Sequence, residues 1–353
     1  MSNTTYRTKA GLLSAVVLAL ACMLSACDTI NDLTGRGDDP PVVNLYPVQL
    51  DGQWGYVNRE GRMVIDPQFQ EAASFGEGLA LVRSDWRYGY IDASGAFAIQ
   101  PRYDDAGSFH DDRAAVRIDG RWGYIDRDGK IVINPQFTGA NDFSEGRAFI
   151  RTARYDWEYI DPSGNVIRTA NTPEFEEIDD AAFSNGLALY RSHDDMYGYL
   201  DKNGEPVIPA QYNAALPFAG GRAAIKISDR WGYIDADQKT VISPQFISAA
   251  SFGEDLAPVR RDQNVWGYAD RSGSVAIQPQ FDQARPFVES RAAVQMNGKW
   301  GFIDRTGKAV VSPKFDEVLD FQNGLARVQV NVGESRRYGY VDASGAYVWY
   351  PTD

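Results

Sequence analysis

One short phrase, aromatic-Gly-aromatic, returns along almost the whole chain and limits what the chain can fold into. It reads Trp54-Gly55-Tyr56, Tyr88-Gly89-Tyr90, Trp122-Gly123-Tyr124, Tyr197-Gly198-Tyr199, Trp231-Gly232-Tyr233, Trp266-Gly267-Tyr268, Trp300-Gly301-Phe302 and Tyr338-Gly339-Tyr340. A ninth copy, Trp157-Glu158-Tyr159, has Glu where the others have Gly. The central position advances by 34, 34, 35, 40, 34, 35, 34 and 38 residues. Self-similarity at such a period marks a stack of identical supersecondary units, none of which can bury its apolar face alone. No amphipathic helical stretch interrupts the pattern.

Residues 113–135, RAAVRIDGRWGYIDRDGKIVINP, show what one unit is. Ala114, Val116 and Ile118 alternate with Ala115 and Arg117, as in a half-buried strand. Asp119-Gly120 supplies a two-residue hairpin turn, and Trp122 to Ile125 form a second strand. Asp126-Arg127-Asp128-Gly129 makes the next turn, with Asp accepting backbone hydrogen bonds and Gly taking the left-handed position. Ile131 to Ile133 form a third strand, which Pro135 ends for want of an N–H. Gln136 to Gly146 then leads to the next unit, placing Phe137, Ala140 and Phe143 in the seam. A Gly inside a strand is unfavourable by itself. The recurrence of Gly123 and its counterparts predicts an aromatic from a neighbouring unit lying flat over the bare backbone.

The expected fold is therefore all-β, a tandem array of about nine three-stranded meanders. A lone strand at Leu45 to Leu50 opens it and a lone hairpin from Tyr338 to Tyr350 closes it. Propellers typically have four to eight blades of four strands and about 40–45 residues. Nine units of about 34 residues depart from that, so an open curved solenoid is expected in preference to a closed propeller. The phrase, its spacing and its extent over residues 44 to 350 resemble the WG-repeat (WG β-repeat) family. That resemblance implies an interaction module and gives Trp54, Gly55, Gly89, Trp122, Gly123, Trp157, Gly198, Trp231, Gly232, Trp266, Gly267, Trp300, Gly301 and Gly339 structural roles. The unit around Glu158, with extra chain from Arg168 to Ala182 that includes EFEEIDDAA, is the divergent one.

The first 26 residues read as an address. Arg7 and Lys9 precede a 13-residue apolar run from Gly11 to Met23, which falls short of the roughly 20 residues that span a bilayer. Leu24-Ser25-Ala26-Cys27 resembles the lipobox of bacterial lipoproteins, and the resemblance implies diacylglyceryl modification of Cys27. Asp28 beside it resembles an inner-membrane retention signal, which favours the periplasmic face of the inner membrane. The expected organisation is a signal peptide over 1–26, a lipid-anchored linker over 27–42 and the repeat domain over 43–353. Arg36-Gly37-Asp38 within that linker reads as a chance tripeptide. Loss of Cys22 with the signal would leave Cys27 without a disulfide partner.

Charge and composition narrow the function. With 35 basic against 48 acidic residues, the chain lacks the overall basic footprint of a nucleic-acid binder. Only two His and two Cys are present. His110 and His193 sit in polar connections of different units and read as solvated rather than as metal ligands. The turns at Asp126 to Gly129 and Asp201 to Gly204 lack the further oxygen ligands of a calcium loop. No nucleophile elbow, P-loop or zincin motif appears. A repeated pattern also works against the single asymmetric constellation that an active site needs, so no catalytic residue, metal or cofactor is expected. The expected function is a non-catalytic, lipid-anchored scaffold of the bacterial envelope that presents an acidic β surface to a protein partner. A glycan- or peptidoglycan-binding lipoprotein using aromatics such as Trp86, Trp349 or Tyr155 is the alternative, and an acid-dependent glycan hydrolase a more distant one.

Overall fold

A computed structural model describes residues 43–154, 156–167, 182–261 and 264–352. The signal segment, Cys27, Asp28, Arg36-Gly37-Asp38, Tyr155 and the acidic insert before Ala182 lie outside the described residues. Nine small antiparallel sheets make up the fold. In chain order they are blades 1 to 9, spanning residues 45–69, 71–103, 105–137, 139–160, 187–212, 214–246, 248–281, 283–315 and 317–352. Six of the sheets have four strands rather than the three expected. In blade 3 the strands are Asp105–Ala106, Ala114–Ile118, Arg121–Ile125 and Ile131–Phe137. The extra strand comes from the stretch read as a connection: Asp105 and Ala106 pair with Arg117 and Val116.

The blades close into a nine-bladed β-propeller, which corrects the expectation of an open solenoid. An open row of nine sheets has eight seams, whereas nine buried apolar clusters occur here, each shared between neighbouring blades. The ninth brings Tyr46, Val48 and Val57 of blade 1 against Leu325 and Tyr340 of blade 9. Tyr340 Oη donates to the Pro47 carbonyl at 2.9 Å, Thr352 Oγ1 to Gln49 O at 3.0 Å, and Tyr46 Oη to Asn323 O at 2.6 Å. Both ends of the repeat domain thus bury apolar surface that an open array would leave wet.

The closing contacts reproduce those inside the ring. In the interior seams Tyr56, Tyr90, Tyr124, Tyr199, Tyr233 and Tyr268 each donate to a carbonyl 17 residues downstream, at 2.7–2.9 Å. Each of these rings also meets a Phe of the next blade edge-on, as Tyr124 meets Phe143 at 4.8 Å between centroids. Such pairs add about 0.5–1.5 kcal/mol each beyond the area they bury. At the closure, Pro47 supplies the carbonyl and Tyr46 the ring, 5.5 Å from Tyr340. Burial pushes the Tyr46 phenol up to about 12 and those of Tyr56, Tyr90 and Tyr124 far above the ordinary range. These hydroxyls stay protonated and remain donors.

Stacking on both sides also changes the burial within a strand. Ala115 was expected on the solvent side of its strand but is buried, as are Ala114 and Val116. Ala114 and Val116 face the seam with blade 2, and Ala115 faces the seam with blade 4. Phe137 and Phe143 lie in that second seam, with Ala140 packed against it.

The signature glycines have a different cause from the one expected. No aromatic of a neighbouring unit lies over them; the backbone of their own blade does. The third strand is longer than predicted and continues past its proline to Phe137. Tyr124 pairs with Ile133 and Trp122 with Phe137, so Asn134, Pro135 and Gln136 bulge out of register. That bulge sets Pro135 N 2.7 Å from where a Cβ on Gly123 would stand. The same holds at Gly89 beneath Pro101, Gly232 beneath Pro244, Gly267 beneath Pro279 and Gly301 beneath Pro313. Proline suits the bulge because it has no N–H to leave unpaired. In blade 5 the position is Ala210, and its N–H finds the Tyr190 hydroxyl at 2.9 Å. Blade 4 carries the buried Glu158 instead of Gly. Its third-strand pairing starts normally, Ile160 with Val166, before the chain leaves the described residues.

Two substitutions check this account. Tyr340→Phe should lower stability by about 1–3 kcal/mol, because it strips the donor from a buried carbonyl. In thermal melts its effect should match that of Tyr124→Phe in an interior seam. A silent Tyr340→Phe beside a damaging Tyr124→Phe would contradict ring closure. Gly232→Val drives a side chain into the Pro244 backbone and should cost about 2–3 kcal/mol by overpacking; an unchanged melting temperature would refute the bulge explanation.

Candidate interaction faces

The hairpin topology sorts the loops onto two faces of the ring. The turn between the last two strands of a blade, such as Asp126 to Gly129, and the turn at Asp111-Asp112 lie at one end of the strands. The Asp119-Gly120 hairpin lies at the other. His110 falls on the first face and His193, in the hairpin of blade 5, on the second, so the two histidines are not brought together. His110 Nδ1 stands 3.3 Å from Asp142 Oδ2. Burial raises the Asp142 carboxyl and His110 opposes that shift. Among the described residues, no three His, Cys, Asp or Glu side chains gather as a metal site.

The first face is built from carboxylates that bind backbone. Asp126 Oδ1 accepts from Asp128 N at 3.1 Å and Lys130 N at 2.9 Å. Asp201 Oδ1 accepts likewise from Asn203 N and Glu205 N. The loops that superficially suggest calcium ligation therefore use their acids to close the turn. Hydrogen bonds hold several such carboxyls below their usual range, led by the hydroxyls of Ser94 for Asp92, Ser272 for Asp270 and Thr306 for Asp304.

A second set of acids joins one blade to the next. Glu77 Oε2 accepts from Asp112 N at 3.0 Å, Asp111 Oδ2 from Gly146 N at 2.6 Å, and Glu145 Oε2 from Gly186 N at 2.9 Å. Asn185 accepts from Gly221 N, Glu254 from Ser290 N and Glu289 from Gly324 N. Each acceptor sits in a left-handed turn, with φ between 50° and 56°. At Gly220 the relay has no side chain, and Arg271 Nη2 instead donates to the Gly220 carbonyl at 2.8 Å. The sequence analysis missed these residues although a signal exists: from Gly55 to Glu77, and from Gly123 to Glu145, the offset is a constant 22.

The hairpin face carries the signature aromatics. Tyr88, Trp122, Trp157, Tyr197, Trp231 and Trp266 are half-buried there. A cation occupies the register position beside each of the first five: Arg83, Arg117, Arg151, Arg191 and Lys226. Arg260 extends the series, its guanidinium 5.4 Å from the Trp266 centroid. Arg117 stands 5.8 Å over Trp122 and Arg151 5.6 Å over Trp157. Blades 1, 8 and 9 have Gln49, Gln295 and Gln329 at this position. Trp86, which the sequence marks as outside the repeated positions, occupies the tip of the blade 2 hairpin and is 71% exposed. Trp349 pairs with Tyr340 at the edge of blade 9 and donates to Thr352 at 3.2 Å, in the closing region.

With this geometry in place, comparison with known proteins decides the family. A model of the WG containing repeat matches residues 54–85, 88–122, 122–152, 197–231, 231–264, 266–300 and 300–331, well over half the chain. The chain belongs to the WG-repeat family. The unmatched stretch between 152 and 197 contains Glu158 and the extended connection of the divergent WG repeat. A search of curated proteins found no match. Among solved structures, the computationally designed Ika8 protein is similar at 10% identity, covering 78% of this chain and 94% of its own, with a TM-score of 0.45. BamB from Moraxella catarrhalis is similar at 13% identity over 82% and 95% of the two chains, also at 0.45. PorZ, a bacterial surface component of the type-IX secretion system of Porphyromonas gingivalis, is similar at 9% identity over 87% of this chain and 46% of its own, at 0.34.

The turn carboxylates of the WG repeats give a pH prediction with a definite sign. A carboxyl held low in the fold adds stability above its unfolded pKa of about 4, and that stability is lost as pH falls through the lower folded value. Asp142 and Asp320, raised by burial, act in the opposite direction. Asp92, Asp161, Asp270, Asp304, Asp316 and Asp342 are all lowered, so they should dominate. Denaturant midpoints should change little between pH 7 and about 5 and fall below about 4. Asp270→Asn should flatten that fall.

Proposed function

We propose that this WG-repeat propeller is a non-catalytic scaffold, held to a membrane of the bacterial envelope by lipid on Cys27, which offers an acidic face to a protein partner. The observation that carries this reading is the construction of the first face. Carboxylates line it blade after blade, and exposed acids such as Asp112, at 67% exposure beside Arg127, and Asp255, at 62% beside Arg271 and Arg305, extend it beyond the relay. A rigid ring in a chain with 48 acidic against 35 basic residues favours a complementary basic patch and speeds encounter with it. The repetition of one unit supports binding rather than turnover, because an active site needs a single asymmetric constellation. The lipobox-like Leu24 to Cys27 and the preceding apolar run support the anchor; Asp28 favours the inner membrane.

Two experiments test the parts separately. Cys27→Ala should release the protein from membranes or stop its processing, read by fractionation and mass; full membrane retention without lipid would remove the anchor from this account. The wild-type chain on a resin, offered solubilised envelope, should retain a basic protein at low salt and release it at about 0.5 M salt, where screening is strong. Retention unaffected by salt, or equal retention by a variant with Asp112 and Asp255 changed to Asn, would reject the acidic face.

A further inference from the structure

The hairpin face carries cations in register, interleaved with acids such as Glu71, Asp104 and Asp195, and nothing in the scaffold reading uses it. We infer that the arc over blades 2 to 7 is a binding track for an acidic polysaccharide whose carboxylates are sparse, about one for every two sugar rings. Cations recur there at one register position in six consecutive blades: Arg83, Arg117, Arg151, Arg191, Lys226 and Arg260. In blades 4, 6 and 7 the residue paired across the strand from that cation is neutral, Gly139, Ala214 and Ser248. In blades 2 and 3 it is Glu71 and Asp105, which partly neutralise Arg83 and Arg117. In blade 5 Asp195 stands 3.8 Å from Arg191, so the track is most positive at Lys226 and Arg260 of blades 6 and 7, in a chain that is acidic as a whole.

Spacing and ring chemistry select the ligand. Sheets packed face to face lie about 10 Å apart, so successive cations present roughly one positive charge per 10 Å. Single-stranded nucleic acid carries a charge about every 3.4 Å, and an extended acidic peptide about one per residue at 3.4 Å. Both are several times denser than the track. Each cation also has a half-buried aromatic ring beside it, a surface on which a sugar ring can lie while its carboxylate meets the guanidinium.

Trp86 points the same way. The equivalent hairpins of blades 1, 3 and 8 are Asp51-Gly52, Asp119-Gly120 and Asn297-Gly298, with Gly at the second left-handed position. Blade 2 puts a Trp there, at φ 64°. A bulky side chain in that region is strained, and such strain persists where something compensates for it. Part of the compensation is visible: Trp86 N donates to Gln70 Oε1 at 2.9 Å, and the Arg83 guanidinium lies 4.7 Å from the ring centroid. The result is an indole 71% exposed at the first blade of the track, a ready platform for the end of a glycan.

The test uses the full chain in detergent with hyaluronan oligosaccharides, which carry one carboxylate per two sugars, as the probe, followed by calorimetry. Uncharged dextran, polyglutamate and oligothymidine are the comparison ligands. Wild type should bind hyaluronan better than all three. Trp86→Gly restores the turn residue of the sister blades, so its melting temperature should be unchanged or higher, while hyaluronan binding weakens about fivefold to tenfold, the scale of one lost aromatic contact. Arg151→Gln with Lys226→Gln and Arg260→Gln should weaken binding further and reduce its salt dependence, with circular dichroism confirming the fold. Gln295→Ala in blade 8, at the same register but outside the arc, should change nothing. No binding of hyaluronan by the wild-type chain, equal or tighter binding of polyglutamate or oligothymidine, or full binding by the folded triple variant would each overturn the inference.

Discussion

A tyrosine hydroxyl donated to a carbonyl 17 residues on, with its ring set edge-on against a Phe of the next blade, joins six of the WG repeats to their neighbours, and in blade 8 Phe302 keeps the ring contact alone, against Phe321. Everything larger follows from that contact. A three- or four-stranded meander of this size has two apolar faces and no means of covering either. Stacking covers both, which is why Ala114 and Ala115, adjacent in the chain, are both buried but in different seams. The terminal blades would each keep one bare face. Blade 1 supplies Pro47 and Tyr46 to Tyr340 of blade 9, as the next blade does in the interior seams, and the ring closes without strand exchange between first and last sheets.

Glycine and proline act together in each blade rather than as separate turn signals. The bulge around Pro135 brings backbone down onto Gly123, so a side chain at one site is incompatible with the bulge at the other. Ala210 tests the logic within the molecule itself. Where proline is missing, a free N–H appears in the bulge, and Tyr190, from the first strand of the same sheet, satisfies it. The two faces differ because the two ends of the strands meet different needs. One end has the turns that lie beside the neighbouring blade and uses carboxylates to cap exposed N–H groups. The other has the hairpins and the crossings between blades, and the paired positions beside the hairpins hold cations and aromatics.

The sequence by itself determined the repeating unit, its number and three of its strands. Period-2 alternation and Asp-Gly turns are local, so Ala114–Ile118 appears as read, and the repeated phrase gave nine copies without reference to any partner. The candidate site was less legible. His110 and His193 were correctly separated by spacing, and Trp86 stood out because it broke the repeat. The relay of Glu77, Glu145 and Glu289, and the cation series from Arg83 to Arg260, remained hidden because charged residues in a single sequence look like solvated surface until register aligns them.

Tertiary structure alone decided closure, the fourth strand and the purpose of the glycine. Closure depends on the small rotation between successive blades, accumulated nine times, and no local pattern carries that angle. Two-residue strands such as Asp105–Ala106 are too short to have a period, and exist only because Arg117 and Val116 are already in place to pair with them. The glycine is required by a bulge whose two partners stand ten or more residues apart, a distance over which sequence records the coincidence but not the contact.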